Sequence, residues 1–240
     1  MSLSAGEGPM ASEGWAVERL RACALFAQAT PEVLAEVARA LRRRRFRRNE
    51  VIFHQGDPGD SLHIIASGAV KIVLPSTEGE EAIIATLREG DFFGELALLD
   101  GAPHSATATA LEPAETLVLP RPVFHDLLDR DPGLRDALLA GLVAELRRLT
   151  GHVEELHFLD LAGRLAMRLT RLALAAEPGA HGEVRLDWPY TQSDLAAMIG
   201  GTRQSVNKLL SGLVDGGLIR IERDTLVITD VDRLALRADR

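Results

Sequence analysis

The residues best suited to chemistry lie in the stretch 94–110, which contains one glutamate and one histidine. Glu95 directly follows a glycine, and His104 follows a turn signal, Gly-Ala-Pro, at 101–103. A carboxylate and an imidazole can perform acid–base catalysis, but the small alternating residues at 105–110 favour the wall of a binding pocket. No nucleophile–base pair, metal-ligand spacing or nucleotide-hydrolysing loop occurs elsewhere in the sequence. The sequence therefore predicts a protein that is not an enzyme.

Cysteine and histidine are too sparse and scattered to predict a metal or iron–sulfur centre. Cys23 is the single cysteine among 240 residues, which excludes an internal disulfide and a cysteine-held cluster. His152 and His157 stand five residues apart, about 140° around a helix, so they do not face one metal ion together. We expect no metal and no Fe–S cluster.

Charge and hydropathy limit the classes to which the protein can belong. With 46 % hydrophobic residues, the chain is long enough for two domains that each bury a core. It contains no run of eighteen apolar residues and no secretory leader, so we expect a cytoplasmic protein without a membrane partner. The net charge of −8 argues against nonspecific polyanion binding by the whole molecule. We interpret the basic run 42–48 as a helix end that continues into a strand edge, with Phe46 turned inward.

Hydrophobic periodicity divides the chain into four parts and predicts an α+β fold. Residues 1–14 are rich in Gly, Ser and Glu and are predicted to be disordered. Residues 15–131 begin with helical periodicity, in which Thr30 is an expected N-cap, and then break into short alternating segments. Many short strands about ten residues apart predict an antiparallel β-barrel or roll. Residues 132–159 predict one long helix, and residues 160–240 predict a second domain.

The long helix carries a narrow apolar stripe with alternating four- and three-residue spacing. Its members are Leu142, Leu146, Leu149, Val153 and Leu156. Such spacing is typical of the seam of a two-stranded coiled coil. A helix packed on its own domain would also show it, but the narrow stripe and its polar flanks favour a homodimer.

The last eighty residues predict two short helices joined by a glycine turn and followed by a hairpin. A capping box at Thr191 begins the first helix, and Gly200–Gly201 ends it. Thr202 caps the second helix, and segments 218–221 and 225–228 form the hairpin. This pattern is that of a winged helix-turn-helix.

A β-roll, a long helix and a winged helix-turn-helix, in this order, resemble the CRP/FNR family of bacterial transcription regulators. The resemblance covers about residues 20–228, and its most specific stretches are 56–62, 90–97, 158–164 and 191–210. It implies an effector-sensing roll, a dimerisation helix and a DNA-binding domain. It also implies a homodimer on a pseudo-palindromic operator in double-stranded DNA. RNA polymerase is a further expected partner, with the loop 177–183 as its contact surface.

The resemblance assigns the stretch around Glu95 to the effector pocket. The implied effector-binding residues are Gly94, Glu95, Leu96, His104, Ser105, Leu149 and Thr150. In the family, backbone N–H groups face the cyclic phosphate, and the carboxylate accepts the ribose 2′-hydroxyl. Here His104 stands where an arginine is usual, and Leu149-Thr150 stands where cyclic-AMP binders have Thr-Ser. A neutral imidazole presents at most one donor. A cyclic-AMP-like effector and a degenerate pocket in a ligand-independent regulator therefore both remain open.

The resemblance also assigns residues to DNA. They are Arg203, Gln204, Lys208, Thr191, Thr202 and Ser205. Arg203 can bond guanine O6 and N7 bidentately, whereas Gln204, which replaces the family's glutamate, suits adenine N6 and N7. The hydroxyl groups resemble phosphate contacts, which set the register without reading sequence. The rival interpretation is a ligand-binding module without DNA function, and the pattern at 191–228 speaks against it.

Overall fold

The computed structural model describes residues 13–176, 183–223 and 225–238, which form two compact units. The first unit ends at Leu146 and the second begins at Arg147, so the division falls within one long helix. Residues 1–12 of the predicted disordered segment lie outside the described residues. So do residues 177–182 of the predicted polymerase loop and Asp224 in the predicted hairpin turn.

The first unit combines helices with two antiparallel four-stranded sheets. The helices are α1 (Glu13–Ala22), α2 (Pro31–Ala40), α3 (Glu95–Asp100), α4 (Arg121–Arg130) and the first part of α5 (Pro132–Phe158). The strands are β1 (Arg42–Phe46), β2 (Val51–Phe53), β3 (Ser61–Ser67), β4 (Ala69–Pro75), β5 (Glu81–Arg88), β6 (Phe92–Phe93), β7 (Thr107–Ala110) and β8 (Ala114–Pro120). One sheet has the order β1-β8-β3-β6 and the other β2-β7-β4-β5. The predicted antiparallel roll is confirmed.

Local signals decide where several elements begin and turn. The side chain of Thr30 accepts a hydrogen bond from the Val33 N–H, as expected of an N-cap before a proline. Gly68 joins β3 to β4 with a φ of 81°, and a Cβ there would lie 2.3 Å from the Pro113 carbonyl oxygen. Only glycine fits this turn, because both its backbone conformation and the close approach exclude a side chain.

Two apolar clusters stabilise the first unit. The larger packs α1, α2, α4 and the start of α5 against β3 and β8, and Phe26 and Phe124 are among its fully buried side chains. The smaller joins the two sheets and includes Phe46, Phe93 and Ala108. Burial of these apolar side chains is the main favourable term in folding this unit.

Residues 42–46 of the basic run form strand β1, and no part of the run is helical, since α2 ends at Ala40. Phe46 is buried, as predicted. Arg43 and Arg45 both pair with Glu115 on the neighbouring strand β8, with Arg45 Nε 3.3 Å from Glu115 Oε2. The predicted helix end is therefore wrong, because cross-strand pairing with a carboxylate lets arginines occupy an edge strand.

The second unit contains the remainder of α5 and a helical domain with a small sheet. Its other helices are α6 (Leu161–Leu174), α7 (Gln192–Ile199), α8 (Arg203–Asp215) and α9 (Val231–Ala238). Its strands are β9 (Val184–Asp187), β10 (Ile219–Glu222) and β11 (Thr225–Ile228), in the order β10-β11-β9. The predicted helix-turn-helix and hairpin are confirmed. Strand β9 and helix α9 were not predicted; β9 has only four residues, too few to show a decisive period.

Candidate functional site

The first group of predicted site residues lies where β6 turns into α3. Gly94 is the N-cap of α3 with a φ of 92°, and Glu95 is the first helical residue. A Cβ at Gly94 would lie 3.0 Å from the Ser61 carbonyl oxygen and 3.7 Å from His104 Cε1. The turn therefore requires glycine, and the fold brings Gly94 and His104 together although ten positions separate them in sequence.

The ring of His104 is packed inside this region and only 8 % of the residue is exposed. It stacks face to face on Phe53, with ring centroids 3.6 Å apart and an angle of 4° between the ring planes. Its Cε1 and Nε2 edge faces Gly59, where a Cβ would lie 3.2 Å from Cε1. Burial lowers the pKa of His104, and Asp57 and Asp60 oppose that shift. The imidazole is consequently neutral at pH 7.

Glu95 supplies a half-buried carboxyl group next to the glycine turn. Burial raises the pKa of Glu95, and the charge of Glu145 on α5 acts in the same direction, while a backbone hydrogen bond at the helix start opposes both. Leu96 and Ser105, which sequence analysis grouped with Glu95, are exposed. This arrangement offers a carboxylate acceptor and a neutral imidazole, but no charged donor from His104 at neutral pH.

Arg121, which was not predicted as a site residue, connects the loop at Gly59 to the end of α3 through hydrogen bonds. Its Nη2 donates to the carbonyl oxygens of Gly59, at 2.5 Å, and Ala97, at 2.8 Å, while Nη1 donates to that of Leu98, at 3.3 Å. Ala97 and Leu98 belong to the last turn of α3, whose carbonyl groups lack intrahelical partners. No local signal marks this role, because Arg121 lies 23 or more positions from each carbonyl that it binds.

A second buried histidine, His63, lies beside the same aromatic rings. It stacks on Phe93 with ring centroids 5.0 Å apart and meets Phe53 edge to face at 5.9 Å. Its Nδ1 is 3.3 Å from Thr116 Oγ1. Burial, followed by the charges of Arg44 and His104, lowers the pKa of His63 to about 3. The ring is therefore a neutral member of the core.

The remaining effector candidates lie on the part of α5 that belongs to the second unit. Leu149 is half-buried and Thr150 is exposed. Their contact with an effector stays a prediction.

The predicted dimer stripe is exposed along most of α5. The exposed large apolar side chains of this helix are Leu139, Val143, Leu146, Val153, Leu156 and Phe158. Leu142, the first predicted member, instead packs partly on the larger core cluster. Leu139 and Val143 continue the four- and three-residue spacing toward the start of the helix, and sequence analysis missed both. Exposed apolar residues that recur at this spacing indicate a contact surface.

The helix-turn-helix begins as its capping residues predict. The Thr191 hydroxyl accepts from the Asp194 N–H at 3.1 Å, and the Asp194 carboxylate accepts from the Thr191 N–H at 2.9 Å. Gly200 ends α7 with a φ of 69°. Thr202 Oγ1 accepts from the Ser205 N–H at 3.2 Å and so caps α8. These local bonds set the path of the chain between the two helices.

Helix α8 has one buried and one exposed face. Val206, Leu210 and Leu213 are buried. The exposed polar residues along it are Arg203, Gln204, Asn207, Lys208, Ser211 and Asp215. Among the other predicted DNA contacts, Thr191 and Thr202 are exposed and Ser205 is half-buried. The structure therefore places the predicted base-reading residues on one accessible face. Sequence analysis missed Asn207 on that face, whose Oδ1 accepts from Gln192 Nε2 at 2.8 Å.

The described part of the chain offers neither a metal site nor a membrane-spanning helix. Within it, no group of three or more His, Cys, Asp and Glu side chains is placed to hold a metal ion. None of its helices is both long and apolar enough to span a membrane. Burial raises the pKa of the Cys23 thiol to about 11, which keeps it protonated and disfavours redox chemistry.

Comparison with known proteins identifies the family. Residues 43–131 match the family model of the cyclic nucleotide-binding domain, and residues 163–237 match that of the Crp-like helix-turn-helix domain. A CRP-like cAMP-activated global transcriptional regulator from Mycobacterium tuberculosis is 32 % identical over 92 % of this chain and 99 % of its own length. The cyclic AMP receptor protein of Thermus thermophilus is 32 % identical over 86 % of this chain and 92 % of its own. A solved CRP/FNR family regulator from Thermus thermophilus is 28 % identical with a TM-score of 0.67, covering 82 % of this chain and 98 % of that one.

The chain belongs to the CRP/FNR family of transcription regulators, as its motifs predicted. Its antiparallel sheets, long helix and winged helix-turn-helix are the α+β fold of that family. The Crp-like helix-turn-helix makes it a DNA-binding regulator, and the family is one of regulators and not of enzymes.

Proposed function

We propose that the protein is a homodimer that inserts α8 of each protomer into successive major grooves of a pseudo-palindromic operator. The observation that carries the proposal is the division of α8 into a buried apolar face and an exposed face with Arg203, Gln204 and Lys208. A helix anchored in this way can present side chains to base edges, and a two-fold dimer places half-sites about 34 Å apart.

Each part of the chain has its own role in this function. Residues 15–131 sense an effector, residues 132–159 form the dimerisation helix, and residues 160–240 bind DNA. The protein works in the cytoplasm, has no catalytic activity and contacts RNA polymerase through the loop 177–183. The exposed apolar stripe on α5 supports the dimer, because a dimer would bury it.

Substitutions on α8 test the proposed placement in the groove. We expect Arg203→Ala to cost about 1–3 kcal/mol at one guanine, because the guanidinium supplies a bidentate contact. We expect Gln204→Glu to move the preference at a neighbouring position from adenine toward cytosine, since a carboxylate accepts from the cytosine amine but cannot donate to adenine N7. Selection of bound sequences from a random pool measures both effects.

Thr202 provides the control for sequence-independent contacts. We expect Thr202→Ala to weaken binding to all sequences about equally, because a phosphate contact carries no base information. Since Thr202 also caps α8, Thr202→Ser keeps the cap and the hydroxyl and should preserve affinity. An unchanged half-site in Gln204→Glu would contradict the placement of α8.

We propose further that the region around Glu95 and His104 binds a cyclic-nucleotide-like effector weakly at neutral pH. The cyclic nucleotide-binding match over residues 43–131 and the glycine turn at Gly94 support a pocket. The neutral ring of His104 supports weak binding, because it offers a phosphate no positive charge. Its stacking on Phe53 also favours the alternative, a regulator that acts without a ligand.

His104→Arg tests the effector proposal. We expect the affinity for cyclic AMP to rise about ten- to a hundredfold, because a charge-assisted fork contributes about 1.5–3 kcal/mol. In the native protein, a bound phosphate favours the imidazolium and raises the pKa of His104 above its lowered value, so affinity should increase as the pH falls below about 6. Calorimetry at pH 7.5, 6.5 and 5.5 measures both effects.

The matched control is His104→Gln, which keeps a neutral donor but cannot titrate. It should bind weakly at every pH. Tight and pH-independent binding by the native protein would show that other groups hold the phosphate.

A further inference from the structure

We infer that Asn207 is a fourth base-contacting residue on α8, and that Gln192 determines which end of its amide faces the DNA. The inference rests on the proposed placement of α8 in the major groove. It goes beyond that proposal by assigning a specificity-determining residue and a positioning residue.

Asn207 lies on the same face of α8 as Arg203 and Gln204. Successive residues of an α-helix are about 100° apart, which places Asn207 about 40° from Arg203 and about 60° from Gln204. Around the helix axis, Asn207 thus lies between Arg203 and Gln204 on the exposed face. The adjacent Val206 is buried and holds this part of α8 against its own domain. If Arg203 and Gln204 lie in the major groove of the DNA, Asn207 therefore lies in it too.

A hydrogen bond from α7 orients the side-chain amide of Asn207. Gln192, the first residue of α7, donates from Nε2 to Asn207 Oδ1 at 2.8 Å. An asparagine amide has an accepting end and a donating end, and an exposed amide can present either end to a partner. Because Asn207 Oδ1 accepts the hydrogen bond from Gln192 on α7, the donor Nδ2 of Asn207 lies on the opposite side of the amide. The bond therefore makes Asn207 primarily a donor.

The donor character predicts which bases Asn207 favours. Guanine and thymine present the acceptors O6 and O4 to the major groove, whereas adenine and cytosine present amino groups at the corresponding place. We therefore expect a keto base, guanine or thymine, on the contacted strand at a position next to those read by Arg203 and Gln204.

The test compares variants of Asn207 and Gln192 with control variants in one random-pool selection, with thermal melting as a check on folding. Asn207→Ala should reduce discrimination at this position by about tenfold, as expected when one contact to a base edge is lost. Gln192→Glu replaces the amide donor with a carboxylate that accepts from Asn207 Nδ2, so the asparagine amide turns and presents Oδ1 to the DNA. The preferred base should change from keto to amino.

Asn207→Asp should produce the same change at the same base pair by a different route. Gln192 can still donate to the new carboxylate, and an acceptor then faces the groove. Agreement between Gln192→Glu and Asn207→Asp is the result expected of a base contact. A change at different base pairs, or in only one of these variants, would overturn the inference.

Ser193→Glu is the matched control for the added charge, because Ser193 is exposed and follows Gln192 directly. It should weaken binding to all sequences without changing the preferred base. The Gln192–Asn207 bond could instead serve only to hold α7 against α8. Gln192→Ala would then lower the melting temperature, and Asn207→Ala would leave the selected half-site unchanged. That result would overturn the inference.

Arg203→Ala in the same pool distinguishes an error in the placement of α8 from an error in the assignment of Asn207. An unchanged half-site in Arg203→Ala means that α8 does not lie in the groove as proposed. A changed half-site in Arg203→Ala, combined with no change in Asn207→Ala and Gln192→Glu, means that the assignment of Asn207 alone is wrong.

Discussion

Leu146→Lys is expected to convert the protein into a monomer and to reduce operator affinity by about 10²- to 10⁴-fold, the range by which linking two binding events raises overall affinity. Leu146 is 65 % exposed in the single chain and lies in the middle of the apolar row on α5. In a two-fold coiled coil, the new lysines of both protomers would meet in the seam, where their charges would repel and lose hydration. Light scattering measures the mass, and an electrophoretic shift on the selected operator measures the affinity.

Leu236→Lys is the matched control. Leu236 is 66 % exposed and lies on helix α9, so the same substitution is made at the same exposure on a helix outside the seam. It should leave the dimer mass and the operator affinity unchanged. A dimeric Leu146→Lys would contradict the seam, and a monomeric Leu236→Lys would show that the effect is not specific to α5.

Acidification is expected to destabilise the first unit through His63. The pKa of this ring is about 3 in the folded protein, mainly because burial disfavours its charged form, and about 6.5 in an unfolded chain. Between these values the unfolded state binds the proton more readily, so stability is lost as the pH falls from about 6.5 toward 3. The slope from this residue is about half its limiting value at pH 6.5 and approaches about 1.4 kcal/mol per pH unit at lower pH, which gives roughly 2 kcal/mol between pH 6.5 and 4.5.

His63→Gln isolates this contribution, because glutamine can bond to Thr116 but does not titrate. The variant should be less stable at pH 7, since it loses the contact with Phe93, and its stability should depend less steeply on pH. Urea unfolding of the first unit at pH 7.0, 5.5 and 4.5, followed by circular dichroism, measures both effects.

Thr116→Val provides the control for the buried hydrogen bond. Thr116 is fully buried and its hydroxyl lies 3.3 Å from His63 Nδ1, so the substitution removes a partner but retains the titrating ring. It should lower stability while preserving the pH dependence. Equal slopes in His63→Gln and the native protein would exclude His63 as the source of acid lability.

The sequence by itself determined the order and type of most elements, because the signals that specify them are local. Thr30, Thr191 and Thr202 cap helices whose N–H groups lie three residues away, and Gly94 and Gly200 occupy backbone conformations that side chains rarely adopt. Strand alternation and turn glycines likewise act over a few residues, and four such stretches in order were enough to predict the family.

Only the tertiary structure decided how side chains distant in sequence meet. His104 packs on Phe53, Arg121 bonds to Gly59, and Gln192 bonds to Asn207, and each partner lies 15 or more positions away. Leu142 fits the apolar spacing on α5 and yet packs partly on the core, since spacing defines a helix face but not what covers it. Local propensity and periodicity carry no information about such partners, because burial, pKa shifts and amide orientation depend on groups that only folding brings together.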